Sequence, residues 1–246
     1  MIEFQGLAKA YGAYQAVKPL SLSVRRGEVF GFLGPNGAGK TTTIRMMMGI
    51  LAPSAGRVLV DGLDCHADAT LVKRRVGYLP DNPIFYDFLR GREILQFVAE
   101  MHGYPRFEAA ERAERLLHQF ALDEVTEEFA VNYSMGMKKR LGLACAMIHA
   151  PSVLILDEPI NGLDPRAARE VQERLLAAAA QGTTIFVSTH LLDMAEKLCD
   201  RVGIIHRGAL VATGTLDEIR AHASADGSLE EVFLKITDDD SSEPAE

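Results

Sequence analysis

The sequence predicts an α/β fold, a parallel-sheet core joined to an antiparallel β portion and interrupted by a helical insert. Three observations carry this. Four short apolar runs, Val29–Leu33, Val153–Leu156, Thr184–Ser188 and Val202–Ile205, have the length and β-branched or aromatic content of buried strands. Two other segments alternate with period two, as half-exposed antiparallel strands do. The stretch from about Arg92 to His149 shows helical spacing instead.

In chain order, Leu20–Val24 alternates apolar and polar residues and reads as a flanking antiparallel strand, and Arg57–Val60 reads the same way. Between them Val29-Phe30-Gly31-Phe32-Leu33 is stopped by Gly34-Pro35, and Thr42–Ile50 continues as a helix. In the insert, Ile94, Leu95, Val98 and Met101 recur at helical spacing. Glu108–Phe120 is built from Ala, Glu, Arg and Leu, all good helix formers. Val153–Leu156 ends in two acids and Pro159, and the strands at 184–188 and 202–205 follow. The core is therefore expected at about 1–90 and 150–220, with the insert at about 91–149 and no internal repeat. Residues 238–246, acidic, small and polar, are expected to be a disordered tail.

Composition narrows the function classes. The chain has 246 residues, 48% hydrophobic and 24% charged, an ordinary globular balance with room for a sizeable core. Lys and Arg number 26 against 34 Asp and Glu, a net charge of −8, which argues against a dedicated nucleic-acid binder. The longest apolar stretch, Leu141–Leu156, is broken by His149, Pro151 and Ser152. The first residues lack the basic start and apolar run of a signal peptide. The expectation is a chain that neither spans a membrane nor is secreted by that route. Cys65, Cys145 and Cys199, odd in number and without a C-x-x-C pair, read as small buried hydrophobes in a reducing compartment.

The strongest local signal is Gly34-Pro35-Asn36-Gly37-Ala38-Gly39-Lys40-Thr41, a complete G-x-x-x-x-G-K-[ST] between a strand and a helix. Glycines let backbone N–H groups close around phosphate oxygens where a Cβ would collide. The helix start adds partial positive charge. Asn36, Gly37, Ala38, Gly39, Lys40, Thr41 and Thr42 are thus the candidate phosphate-binding residues, with Lys40 reaching the β- and γ-phosphates and the Thr41 hydroxyl offered to Mg2+. A second signal is Leu154-Ile155-Leu156-Asp157-Glu158-Pro159. Acids at the carboxyl end of a parallel strand lie where such sheets bind ligands, so Asp157 is a Mg2+ candidate and Glu158 a candidate to polarise a water. By itself a strand ending in Asp-Glu is more often the start of a solvated loop; the phosphate loop reverses those odds.

With these motifs in hand, the chain from about Ile2 to Thr237 resembles the ATP-binding-cassette (ABC) family, in particular the nucleotide-binding subunit of an ABC transporter. The resemblance implies a P-loop NTPase core and one ATP-binding domain at about 1–237. Its most discriminating segment is Tyr133-Ser134-Met135-Gly136-Met137-Lys138-Lys139-Arg140, similar to the family's signature, whose common form is Leu-Ser-Gly-Gly-Gln; Met135 and Met137 depart from it. The retained Ser134 and Gly136 offer a hydroxyl and an exposed backbone N–H at a helix start, suited to a γ-phosphate. An ordinary Ser N-cap describes Ser134 equally well, and the cap is the device.

Other roles follow only from the resemblance. Tyr11 corresponds to the aromatic that stacks on adenine, with Val17 lining the same face; a half-buried strand-end tyrosine is the plainer reading. Asn161-Gly162-Leu163-Asp164 resembles a loop that crosses a dimer interface, with Asn161 where Ser is usual. His190 corresponds to a switch histidine that contacts the γ-phosphate and supports the attacking water. Asp81, in Tyr78-Leu79-Pro80-Asp81, stands where Gln is usual, and two roles stay open: it serves the metal site as a hard oxygen ligand through a water, or its loop chiefly relays motion.

The resemblance implies ATP hydrolysis by direct water attack, with Glu158 as general base, His190 orienting, and Lys40 and Mg2+ neutralising charge. It also implies a head-to-tail dimer, with an identical or a paralogous cassette, in which each loop is completed by the partner copy. A separate membrane-spanning subunit would hold the cassette at the cytoplasmic face of the membrane, with no nucleic acid as partner. Phe85, Tyr86, Phe88 and Leu89 could line the groove for that subunit or pack internally. Three rival classes fit less well. A soluble ABC ATPase usually carries two cassettes or long insertions. A small GTPase needs Asn-Lys-x-Asp, and Asn161-Gly162-Leu163-Asp164 lacks the Lys. A binding-only module would be expected to lose Glu158. The variant signature and Ser228-Leu229-Glu230-Glu231-Val232-Phe233-Leu234 resemble export-type, drug- or lipid-related cassettes; neither identifies a cargo.

Overall fold

The computed structural model describes residues 1–221; the expected acidic tail and the Ser228–Leu234 segment lie outside them. The described residues divide into two compact units, one of Met1–Ala69 with Phe186–Ala221, the other of Thr70–Ile185.

The first unit begins with an antiparallel sheet. Its strands are β1 (Ile2–Tyr11), β2 (Tyr14–Val24), β4 (Ala55–Val60) and the short β5 (Leu63–Asp64), in the order β2-β1-β4-β5. Phe4 sits opposite Leu22 on one side and Val58 on the other. These residues are buried while their neighbours Glu3 and Gln5 face solvent, which is the period-two pattern made physical. Gly56 has φ +66°, and a Cβ there would overlap the backbone of Gly6, so only glycine lets β4 approach β1 at that point.

The same unit holds β3 (Val29–Leu33), β9 (Arg201–His206) and β10 (Ala209–Gly214). β3 pairs in parallel with β9, Phe30 opposite Arg201 through Leu33 opposite Ile204. β9 and β10 form a hairpin whose two-residue turn, Arg207-Gly208, has both φ values positive, as a turn matching strand twist requires. The strand β8 (Thr184–Thr189) lies beside β3, giving β10-β9-β3-β8. Phe186 is the hub of this core, with the rings of Phe4, Phe30 and Phe32 centred 5.9, 5.8 and 5.4 Å away. The helices are α1 (Lys40–Met47), α7 (Leu192–Leu198) and α8 (Leu216–Ala221).

In the second unit β6 (Val76–Leu79) and β7 (Val153–Asp157) pair in parallel, Val76 opposite Val153 through Leu79 opposite Leu156. Helices α3 (Gly91–Met101), α4 (Arg106–Gln119) and α5 (Met135–Met147) pack through small and branched residues, among them Ile94, Leu95, Ala99, Ala109, Ala113, Leu117 and Leu143, all buried. A Cβ on Gly77 would overlap the Ala146 carbonyl, so the glycine sets how closely α5 lies on β6. The helix α6 (Pro165–Ala180) follows β7, and the short α2 (Ala69–Lys73) precedes β6. The expected elements form with shifted ends: α1 starts at Lys40 rather than Thr42, and α4 starts at Arg106 rather than Glu108. Among the described residues no helix is long and apolar enough to cross a membrane.

Candidate functional site

In the first unit the loop between β3 and α1 has the geometry of a phosphate cradle. Gly37 and Gly39 have φ of +82° and +107°, both in the left-handed region. A Cβ on Gly37 would meet nothing, so its amide borders open space, whereas one on Gly39 would lie 2.7 Å from the Ala16 carbonyl oxygen. Gly39 is also the N-cap of α1, and with no side chain it places no oxygen over the first-turn N–H groups. That is the arrangement an anion would complete.

The Lys40 side chain curls back over the loop, its Nζ donating to the carbonyls of Gly34 at 2.6 Å and Pro35 at 3.2 Å. Gly34 donates its own N–H to Thr189 O at 3.4 Å, and Ala38 O accepts from Gly208 N at 3.0 Å, so β8 and the β9–β10 turn both brace the loop. Thr43 tightens the helix start with Oγ1 donating to Gly39 O at 2.9 Å, while Thr41 stands exposed and Thr42 half-buried at the helix opening. The residues thus fit a phosphate group and its metal: backbone donors, one ammonium and one hydroxyl. Among the described residues no preformed group of three His, Cys, Asp or Glu could hold a metal ion. Mg2+ usually takes one or two protein oxygens beside substrate phosphates, so such a group is not needed.

A cleft of about 410 Å³ opens beside the loop, lined by Tyr14, Gln15, Pro35–Ala38, His206 and Arg207. Tyr14 and the His206-Arg207 corner escape a reading of the sequence; their only signal is that Arg207-Gly208 is a tight turn. Tyr11 is not in that lining. It is 52% exposed at the end of β1, opposite Tyr14 in the β1–β2 hairpin, with the Lys9 ammonium 5.2 Å from its ring centroid. Val17 is 1% exposed, and its Cγ2 would lie 3.3 Å from a Cβ on Gly39, so it supports the loop from beneath. His190 follows β8 and is half-buried.

The second unit holds the carboxylates. β7 is buried along its whole length and delivers Asp157, 2% exposed, at its end. Glu158 follows with φ +49°, a left-handed conformation that is costly for a residue with a Cβ, and is 7% exposed. Its carbonyl accepts from Asn161 N at 3.3 Å and from the ammonium of Lys139 in a short bond. The Lys139 side chain, 2% exposed, also reaches Asp81 Oδ1 at 3.4 Å. Burial lowers the Lys139 pKa, against the opposing pull of the Asp81 carboxylate. The other Asp81 oxygen accepts from Asn82 Nδ2 at 3.0 Å. Sequence reasoning treated Lys139 as one member of a basic run; nothing in its neighbours marks it as the buried one.

Ser134 N-caps α5, its Oγ accepting from Met137 N at 3.2 Å. Ser134 and Met135 are exposed and Gly136 half-exposed, so the helix start faces solvent. A Cβ on Gly136 would lie 3.4 Å from the Leu163 side chain, bringing the signature segment against the Asn161–Asp164 loop. Asp164 caps α6 by accepting from the N–H groups of Arg166 and Ala167, both at 3.0 Å. The Ala167 bond leads in holding its carboxyl below the usual range. Of the aromatic cluster, Tyr86 and Phe88 are exposed with Ile84, while Phe85 and Leu89 are half-buried; the Phe88 ring meets Phe129 edge-on at 6.5 Å.

The comparisons with known proteins agree with this geometry. A family model described as "ABC transporter" matches residues 17–161. The chain is 35% identical over 243 residues to "Probable multidrug ABC transporter ATP-binding protein YbhF" of Escherichia coli, a match that covers 97% of the chain but 42% of YbhF, so it spans less than half of that relative's length. It is 40% identical over 225 residues to "Daunorubicin resistance ATP-binding protein DrrA3" of Streptomyces coeruleorubidus, covering 92% of the chain and 71% of the relative. A solved structure titled "Structure of ATP binding subunit of ABC transporter" superposes with a TM-score of 0.89 at 34% identity, covering 96% and 99% of the two chains.

Proposed function

The chain belongs to the ABC transporter family, and on that premise we propose that it binds and hydrolyses ATP to power export through a separate membrane-spanning chain. The observation that carries this is the loop at 34–41: glycines in left-handed conformations, an uncapped helix start and the Lys40 ammonium folded over the carbonyls, a fit for the phosphates of ATP.

Within that reading the residues divide the work. Gly37, Ala38, Gly39, Lys40, Thr41 and Thr42 hold phosphate oxygens, and Asn36 stands at the mouth of the loop. Mg2+, when bound, would neutralise phosphate charge, and Thr41 and Asp157 are the residues to hold it. Glu158 accepts the proton of the attacking water, and His190 orients water and phosphate. Burial of Glu158 at the end of β7 keeps bulk water from its carboxylate. Tyr11 would take the adenine end, with Val17 backing that face from beneath the loop. Ser134, exposed, and Gly136, half-exposed, at the start of α5 would reach the γ-phosphate of a second cassette, so the active form is a head-to-tail dimer.

The exposed apolar residues Ile84, Tyr86, Phe88 and Phe129 support a docking surface for the membrane chain, which would keep the cassette at the cytoplasmic face of the membrane. The names of YbhF and DrrA3, which refer to multidrug transport and daunorubicin resistance, support export. The test is Glu158→Gln. It should bind ATP as wild type does and lose turnover by about 1,000-fold. Normal turnover would remove Glu158 from its role. Co-purification should yield a multi-span membrane protein; a soluble partner instead would argue for a non-transport ATPase.

A further inference from the structure

Three groups that lie far apart in sequence converge in the second unit on one ammonium. Lys139 extends from the inner side of α5 and is almost wholly buried. It donates to the Asp81 carboxylate, in the loop after β6, and to the backbone carbonyl of Glu158, at the end of β7. Each contact answers a need of the partner. A buried ammonium is costly without an opposite charge, and Asp81 supplies it. The left-handed backbone of Glu158 persists only if its surroundings hold it, and the Lys139 bond falls on that residue's own carbonyl.

We propose that Lys139 is a positioning residue for Glu158, and that Asp81 serves as the counter-ion of Lys139 rather than as a metal ligand. Asp81 Oδ1 accepts from Lys139 and Oδ2 from Asn82, so a cation at this carboxylate would have to share it with an ammonium already in place. The same contacts tie three elements at one point: the helix whose start carries Ser134 and Gly136, the loop after β6, and the strand end that bears the general base. A change at either of the first two would therefore reach the Glu158 backbone through one side chain. The role of Glu158 in this inference rests on the hydrolytic reading above; the three-way contact does not.

The test is a double-mutant cycle with Lys139→Met and Asp81→Asn in the full chain, read three ways. The first is hydrogen exchange of the nucleotide-free protein. Lys139→Met should speed exchange in the segment 157–164 by about tenfold and leave the 34–43 loop unchanged. The second is ATPase kinetics. Lys139→Met should lower kcat by about 100-fold with KM for ATP little changed, as expected for a misplaced base with binding intact. Asp81→Asn should lower kcat by about tenfold, and should cost nothing further in the Lys139→Met background. The third is the Mg2+ concentration for half-maximal activity, which should not move in Asp81→Asn.

A tenfold rise in that Mg2+ requirement would overturn the counter-ion role and make Asp81 a ligand. Independent, multiplying effects of the two substitutions, or unchanged exchange at 157–164, would overturn the positioning role. If Lys139→Met does not fold, Asp81→Asn reads the same contact from its other end. If the wild-type chain does not hydrolyse ATP, the hydrolytic reading fails, and the exchange cycle still decides whether the contact holds Glu158.

Discussion

The phosphate loop and the Asp81–Lys139–Glu158 cluster solve the same problem, placing charge where it can act, by opposite means. The loop uses backbone. Its donors are N–H groups aimed by two glycines in left-handed conformations, and its one charged side chain lies six residues from the carbonyl it grips. The cluster uses side chains and burial. Its members stand at positions 81, 139 and 158, and the lysine is hidden from water. Backbone geometry is local, so a run of eight residues announces it. A buried charge is tolerated only where distant residues meet, and no short run can announce that.

The largest effect that would sharpen this contrast is expected in the loop. Gly39→Val forces a branched residue into φ +107° and against the Ala16 carbonyl. It should abolish binding of a fluorescent ATP analogue and cost about 2–4 kcal/mol of unfolding free energy, measured by urea titration. Retained nucleotide binding would break the claim that backbone conformation builds the cradle.

A comparable effect tests burial of a titratable group in the second unit. The His149 ring stacks on His102, 3.7 Å between centroids, and burial first, then the His102 charge, lowers its pKa from 6.5 to about 4. Below pH 6.5 the unfolded chain takes up a proton at His149 that the folded chain refuses until about pH 4. The unfolded state thus binds more protons through that window, and stability falls as the pH drops. Discounted for solvent screening of a half-buried ring, the loss attributable to His149 should be about 2 kcal/mol by pH 4, read as the difference in urea unfolding between wild type and His149→Phe. Parallel pH curves for the two proteins would show that His149 does not carry it.

The smallest effect falls on a backbone device in the second unit. Asp164→Ala removes an exposed cap from α6 and should lower the urea midpoint only slightly in the same assay. A midpoint drop as large as that of Gly39→Val would mean that the cap also holds the Asn161–Asp164 loop against Gly136, which the Leu163 side chain, 3.4 Å from where a Gly136 Cβ would lie, permits.

What could be read in advance follows this division. Val29–Leu33, Val153–Asp157 and Thr184–Thr189 were legible because fully buried parallel strands are runs of apolar residues closed by turn formers. Ser134 was legible as a cap because capping is a contact over three residues. The start of α1 was missed by two residues, because the sequence does not show that Gly39 itself caps the helix. Tyr14 carries no such signal: it faces Tyr11 across the hairpin, and its place beside the cleft depends on the strands' register.

By itself the sequence determined the α/β alternation, the phosphate cradle and the acids at the end of β7, since each depends on periodicity or on the conformational freedom of glycine within a few residues. The tertiary structure alone decided which member of Lys138-Lys139-Arg140 is buried, that Asp81 meets it, and that Glu158 takes a left-handed backbone under its hold. The physical reason is desolvation. The free energy of a charge depends on what surrounds it after folding, and those surroundings are drawn from places the local sequence does not contain.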